Sequence, residues 1–204
     1  MSESRERVIE AASQLFHGGS FHKVGIAEIC AQARVNKGTF YHFFPSKIDL
    51  LIEVINRYAD GVAASFTAVA SSDAAPARKI MDVFSVPQSS NRAWKASHGV
   101  SPGCFIGNMI LELGATEPLV RERTEWAINE MTRKLHPVVA EFMKAEKIDG
   151  CDVPRAADML MGLIQGAQVQ AKAHNDPELF TRFAVLAPSM IRGAGSELTG
   201  MNRA

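Results

Sequence analysis

Residues 26–51, IAEICAQARVNKGTFYHFFPSKIDLL, decide the fold of this 204-residue chain. Four apolar residues near its start recur at the spacing of one helical face: Ile26, Ile29, Cys30 and Ala33. Arg34 follows this first helix, and Asn36 is a suitable N-cap for a second helix over residues 37–44, which Pro45 ends. The stretch therefore predicts two short helices joined by a tight turn.

Helical spacing continues on both sides of this stretch. Upstream, one helix face is formed by Val8, Ala11, Ala12, Leu15 and Phe16. Downstream, Ser46 caps a long helix that reaches about residue 69. Further helices are predicted over residues 77–85, 105–114, 117–147, 153–174 and 177–192. Residues 86–103 are rich in Pro, Ser, Asn and Gly and are expected to be the least ordered, and the tail after Gly193 is expected to fray. No strand-like alternation is present, so the predicted fold class is all-α.

Composition excludes several classes of protein. Charged residues make up 22% and hydrophobic residues 47%, which is ordinary for a folded domain. There is no apolar run of about 18 residues and no apolar leader, so we expect a cytoplasmic protein. Three cysteines without a CxxC pair and scattered histidines predict no disulfide framework, no metal site and no cofactor. Formal net charge is zero, yet residues 34–47 hold three positive residues and no carboxylate, which is a local basic patch.

The second short helix has two distinct faces. Phe40, Phe43 and Phe44 are expected to pack into the core. The remaining side chains are polar or small and suit contacts to phosphates or base edges: Lys37, Gly38, Thr39, Tyr41 and His42. Lys47, in the first turn of the next helix, suits a phosphate contact. Taken alone, Tyr41 and His42 could equally be ordinary surface residues, and the two lysines could be solvated.

The motif from Val35 to Phe44, VNKGTFYHFF, followed by Ser46-Lys47 and Leu50-Leu51, resembles the DNA-binding signature of the TetR family. The resemblance covers roughly residues 5–55. It implies a helix-turn-helix domain over residues 1–48, a connecting helix over 49–70, and a ligand-binding and dimerisation domain over 71–204.

Two positions depart from the family pattern. Val24-Gly25 stands where the family usually has Ser or Thr, and Arg34 stands in the turn where the family usually has Gly. A non-glycine residue in that turn must adopt an uncommon backbone conformation at some cost in stability. Arg34 could in return contact a phosphate.

The resemblance also implies a homodimer formed by the last two helices. In the predicted helix 153–174, Gly162 and Gly166 are spaced by four, which would allow close approach of another helix. The helix 177–192 offers several large apolar residues. A purely intramolecular core is the alternative.

Residues 102–109, PGCFIGNM, resemble a Gly-Cys-aliphatic-Gly-Asn segment of one branch of the family, some members of which respond to electrophiles or unsaturated small molecules. Cys104 is either a reactive sensor at a helix start or a small buried hydrophobe. Residues expected to line a ligand pocket, or to be plain core, are Cys104, Phe105, Asn108, Met109, Leu113, Trp126 and Met131.

The predicted function is a ligand-responsive repressor that binds a palindromic double-stranded DNA operator as a homodimer and is released by a small-molecule or electrophilic inducer. A helix-turn-helix protein without a ligand is the alternative. An enzyme is not expected, because no nucleophile–base pair, metal cluster or phosphate-binding loop occurs at a meaningful spacing.

Overall fold

A computed structural model describes the backbone of residues 2–201 and the side chains of residues 2–194. Within these residues the chain forms ten α-helices and no strand, which confirms the all-α prediction. The helices are α1 (Glu3–Gly18), α2 (Ile26–Ala33), α3 (Lys37–Phe43), α4 (Lys47–Ala70), α5 (Pro76–Asp82), α6 (Ser85–His98), α7 (Phe105–Leu113), α8 (Pro118–Glu146), α9 (Val153–Ala173) and α10 (Leu179–Met201).

The chain divides into two compact units. The first comprises residues 1–59 and 105–127, and the second comprises residues 60–104 and 128–204. The first unit therefore contains α1–α3 and the first half of α4, together with α7 and the start of α8. The chain leaves the second unit after Cys104 and enters the first at Phe105.

The core of the first unit forms where the apolar faces of its helices meet. Helix α1 packs on α2 and α3, and α2 packs on α3. The largest fully buried side chains here are Phe16, Phe40, Phe105, Ile9, Ile29, Leu50, Leu51 and Ile55. Burying aromatic and branched residues contributes about 1.5–3 kcal/mol for each side chain, so this cluster is the main source of stability for the short helices.

In the second unit α10 packs on α5, α6 and α9. A lysine is buried there: the Nζ of Lys79 donates to the carbonyl of Ala70 at 3.0 Å and to the Glu141 carboxylate at 2.8 Å. A buried ammonium needs such partners, because desolvating an unpaired charge is costly. Lys79 thereby ties the end of α4 to α5 and α8.

Two expectations about order were wrong. Residues 85–98 form helix α6 instead of a loose segment. Pro87 lies in the first turn, where an amide has no intrahelical acceptor, and the side chains of Gln88 and Asn91 are buried and hydrogen-bonded. Helix α10 extends to Met201, past Gly193, where fraying was expected. Residues 202–204 lie outside the described residues.

Candidate DNA-binding site

The start of α3 is fixed by Asn36, as the sequence predicts. The Asn36 Oδ1 accepts a hydrogen bond from the Thr39 backbone N–H at 2.8 Å and another from the Thr39 hydroxyl at 3.1 Å. A Cβ at Gly38 would lie 3.2 Å from the same oxygen. Gly38 therefore leaves room for the cap, a local reason for glycine beside any approach to DNA.

Arg34 occupies the tight turn between α2 and α3 in the left-handed conformation, with φ 52° and ψ 49°. Its N–H donates to the Ala31 carbonyl at 3.2 Å, and the Val35 N–H donates to the Cys30 carbonyl at 3.0 Å. This geometry confirms that the turn demands a conformation that non-glycine residues rarely adopt. The Arg34 side chain is exposed.

The predicted DNA-contacting residues of α3 share one surface. Lys37, Gly38 and His42 are exposed, Tyr41 is 53% exposed, and Thr39 is half-buried, with its hydroxyl bonded to Asn36. On the opposite side Phe40 and Phe44 are buried and Phe43 is half-buried. Helix α3 therefore presents a cationic and polar face while its aromatic residues anchor it. Contact with DNA stays a prediction for each of these residues.

Lys47, for which the sequence predicts a phosphate contact, has intramolecular partners. Its Nζ donates to the carbonyls of Phe21 and Val24 at 2.8 and 2.9 Å and lies 4.1 Å from the centre of the Phe21 ring. Burial lowers the pKa of Lys47, and the negative charge of Glu112 partly opposes this shift. The ammonium holds the loop between α1 and α2, which we call the 20–24 loop.

Glu112, on α7, binds the same loop through backbone N–H groups and one hydroxyl. One carboxylate oxygen accepts from the Ser20 hydroxyl at 2.5 Å and from the His22 N–H at 3.1 Å, while the other accepts from the Phe21 N–H at 3.1 Å. Burial is the largest single effect on the pKa of Glu112 and raises it, but the three hydrogen bonds together outweigh it and leave the pKa below its usual range. Nothing in the sequence around Glu112 indicates this contact, because its partners lie about 90 residues away.

Further contacts fasten the helices of this unit to one another. The Nε of Arg7, on α1, donates to the carbonyl of Ala33 at the end of α2 at 3.1 Å. The Arg57 guanidinium, on α4, makes two hydrogen bonds to the carboxylate of Glu6, on α1. Two different helices, α2 and α4, are thereby attached to α1, which fastens the helix-turn-helix to the helices on either side of it.

The residues predicted to line a ligand pocket are distributed over both units. Cys104 belongs to the second unit and is 7% exposed, and the others belong to the first except Met131. Phe105, Met109, Leu113 and Met131 are buried, whereas Asn108 and Trp126 are half-buried. The Phe105 ring lies 5.4 Å from Tyr58 and 5.7 Å from His17, centre to centre. Their role in ligand binding stays a prediction.

A buried amide orders the segment that precedes Cys104. The Asn91 Oδ1 accepts from the Ser101 hydroxyl at 2.6 Å and from the Gly103 N–H at 3.0 Å, and its Nδ2 donates to the Pro87 carbonyl at 2.9 Å. Gly103 has a φ of 75°, which a side chain would rarely adopt. The sequence did not indicate this role of Asn91, because its partners Ser101 and Gly103 lie 10 and 12 residues away in a segment without regular structure.

The second unit carries exposed apolar side chains on its last two helices. Val169 on α9 and Val185, Leu186 and Met190 on α10 are all more than two-fifths exposed. Nothing lies within 4 Å of a Cβ built on Gly162 or Gly166, so both glycines face open space within the single chain. An exposed apolar surface of this kind suits association.

Within the described residues, a metal centre and a membrane-spanning helix are both absent. No group of three His, Cys, Asp or Glu side chains in the described part of the chain is arranged to hold a metal ion. None of the three cysteines, all of which lie in the described part of the chain, forms a disulfide bond. Across the same residues, no helix combines the length and the apolar character needed to span a membrane.

Comparison with known proteins identifies the class to which this fold and site belong. Residues 8–54 match the sequence model described as bacterial regulatory proteins of the tetR family, and residues 88–186 match the tetracyclin repressor-like C-terminal domain. The HTH-type transcriptional repressor DhaR of Mycobacterium sp. is 23% identical over 88% of this chain and 87% of its own length.

Solved structures show the same fold. A regulatory protein TetR from Rhodobacter sphaeroides superposes with a TM-score of 0.77 at 24% identity, covering 92% of this chain and 98% of that one. FadR of Bacillus subtilis, solved in complex with stearoyl-CoA, superposes with a TM-score of 0.73 at 19% identity, covering 93% and 98% of the two chains. The protein belongs to the TetR family of transcriptional regulators. The family is one of DNA-binding regulators and not of enzymes.

Proposed function

We propose that this protein is a homodimeric repressor that binds a palindromic DNA operator through α3 and is released from it by a small-molecule inducer. The observation that carries the proposal is the face of α3. Lys37, Tyr41 and His42 are exposed together, while Phe40 and Phe44 behind them are buried in the core. A rigid helix with donors on its outer face is what major-groove recognition requires.

The distribution of charge also favours this face of α3 as the DNA-binding surface. Arg34 and Lys37 are exposed within a stretch of sequence that contains no carboxylate up to Lys47. The cationic groups would release counterions from the DNA backbone, so affinity should fall as salt rises. The neutral charge of the whole chain is no obstacle, because the cations that matter lie at the contact surface.

The dimer is supported by the apolar surface of α9 and α10. These two helices pack on each other, and both carry large apolar side chains that are exposed. Helix α9 also carries the two glycines that face open space. Pairing this surface with its copy about a two-fold axis would bury it. Two α3 helices would then meet successive major grooves about 34 Å apart on a palindrome.

Release by a small molecule is supported by family membership and by the stearoyl-CoA bound to the FadR structure. We propose that the ligand contacts residues among Cys104, Phe105, Asn108, Met109, Leu113 and Trp126. A panel of small molecules tested by thermal unfolding addresses this part, since a ligand that prefers the native state raises Tm. A ligand that raises Tm without weakening DNA binding would contradict its role as inducer.

One experiment tests the DNA-binding dimer directly. The protein is used to select duplexes from a random-sequence library, and the selected duplex is footprinted while light scattering gives the mass of the complex. Two protected half-sites related by inverted symmetry, with an even number of protein chains, are expected. A single asymmetric site bound by one chain would contradict the proposal.

A further inference from the structure

Two side chains of opposite charge, one on α7 and one on α4, form hydrogen bonds with the 20–24 loop. The Glu112 carboxylate, on α7, accepts from two backbone N–H groups and one hydroxyl of the loop. The Lys47 ammonium, on α4, donates to two of its carbonyls. Phe21 lies at the centre: its N–H, its carbonyl and its ring contact Glu112 or Lys47, and its ring also packs 5.3 Å from that of Phe16.

This loop determines where the helix-turn-helix begins. Val24 is buried and Gly25 directly precedes α2, where the Gly25 carbonyl accepts the first helical hydrogen bonds. The position of α2 therefore follows the position of the loop. Helix α3 packs on α2 and α1, so the loop also influences the surface that is proposed to face DNA.

Helix α7 contacts other parts of the first unit at both of its ends. Its first residue, Phe105, packs against His17 of α1 and Tyr58 of α4. Glu112 lies seven residues later, about 10.5 Å along the helix axis. Helix α7 is also joined in sequence to the second unit, directly through Cys104 and through α8, which begins at Pro118.

We propose that Glu112 is a positioning residue for DNA binding, and that through it the position of α7 sets the 20–24 loop and hence the helix-turn-helix. The inference rests on the proposed function. It identifies the contact through which a change in the second unit, transmitted by α7, would reach α2 and α3. A loop that is fixed in advance has less freedom to lose when DNA binds, so releasing it weakens binding without removing any DNA contact.

The isosteric variant Glu112→Gln is the first test. The amide has one acceptor oxygen, so it cannot serve both the Phe21 N–H and the pair Ser20 and His22. Hydrogen exchange at the Phe21 and His22 amides should accelerate about 10- to 100-fold, as for loss of hydrogen bonds to a charged group. Affinity for a duplex selected by the wild type should fall about 5-fold or more, with an unchanged salt slope because no phosphate contact is lost.

Two matched variants accompany it. Glu122→Gln removes the same charge from an exposed site on α8 in the same unit and should leave loop exchange and DNA affinity unchanged. Ser20→Ala removes only one of the three hydrogen bonds to Glu112 and should give a smaller effect in the same direction. If Glu112→Gln does not fold, Ser20→Ala still tests whether the contact with Glu112 positions the loop.

A double-mutant cycle separates positioning from general stability. Phe105→Leu loosens the other attachment of α7, and its effect on loop exchange and DNA affinity should be large in the wild type and small in the Glu112→Gln background. Equal effects of Phe105→Leu in both backgrounds would overturn the proposal. The hydrogen-exchange measurements of this cycle need no DNA. If the wild type selects no duplex, the proposed function is refuted, but the hydrogen-exchange results still test whether Glu112 positions the loop.

Discussion

The Asn36 side chain accepts a 2.8 Å hydrogen bond from the Thr39 N–H and thereby fixes the first turn of α3. The variant Asn36→Ala should lower the free energy of unfolding by about 1 kcal/mol, the usual cost of losing such a cap. Asn36→Asp keeps an acceptor at the helix N-terminus and should retain the stability. Chemical denaturation measures both. Equal losses in the two variants would show that the cap is not what Asn36 contributes.

Arg34 adopts a left-handed conformation that glycine adopts without strain. Arg34→Gly should therefore raise the free energy of unfolding by about 0.5–1 kcal/mol, since the relief of strain exceeds the entropy that glycine loses on folding. DNA affinity should fall, because an exposed cation beside α3 is removed.

The matched variant Arg34→Ala removes the same cation but keeps the strain. It should weaken DNA binding as much as Arg34→Gly does, without the gain in stability. A glycine variant no more stable than the alanine variant would mean that the turn is not strained.

Leu186 is 56% exposed on the surface of α10 that is proposed to form the dimer. Leu186→Glu would place a buried charge on each side of a symmetric interface, and we expect the dimer dissociation constant to rise at least about 100-fold, or about 3 kcal/mol. Leu111, on α7, is 84% exposed outside this surface, and Leu111→Glu is the control. Sedimentation over a range of concentrations measures the change. Dissociation by the control alone would place the interface elsewhere.

The three cysteines differ in access to solvent. Cys151 is partly exposed, whereas Cys30 and Cys104 are 5% and 7% exposed, and burial also raises the pKa of the Cys30 thiol. A thiolate is the reactive form, so Cys151 should be alkylated first in the native protein and Cys30 should be slow. Peptide mass spectrometry during alkylation gives the order.

Cys104 is predicted from the sequence to be either a sensor of electrophiles or a small buried hydrophobe. If it is a sensor, an electrophile should release DNA from the wild type and not from Cys104→Ser. Equal release from both proteins would show that Cys104 is a core residue and would favour a non-covalent ligand.

The sequence predicted best what depends on neighbouring residues. Asn36, Gly38 and Pro45 lie within the segment that they shape, so the bounds of α2 and the start of α3 could be read directly. The strained turn at Arg34 was foreseen for the same reason. Helix α6 was missed because its polar composition resembles a loop, and its buried partners lie far away in the chain, as for Gln88 and Pro177.

The attachment of α7 to the 20–24 loop could not be predicted in this way. Glu112 and Phe21 are 91 residues apart, and a single carboxylate on a helix carries no local signal of its partner. The sequence did single out Lys47, for which it predicted a phosphate contact. An ammonium near the start of a helix can bind a phosphate or a pair of carbonyls equally well. Only the folded chain shows that its Nζ meets Phe21 and Val24.

The exposed face of α3 is proposed to bind DNA. The most direct measurement is the affinity of Lys37→Ala for the selected duplex across a range of salt concentrations, beside Lys134→Ala, which removes an exposed lysine from α8. Lys37→Ala should weaken binding and reduce the log–log salt slope by about 0.9 per phosphate contact, hence about 1.8 for a dimer. Lys134→Ala should change neither. An unchanged affinity and slope for Lys37→Ala, or equal losses in the two variants, would show that this face of α3 does not bind DNA.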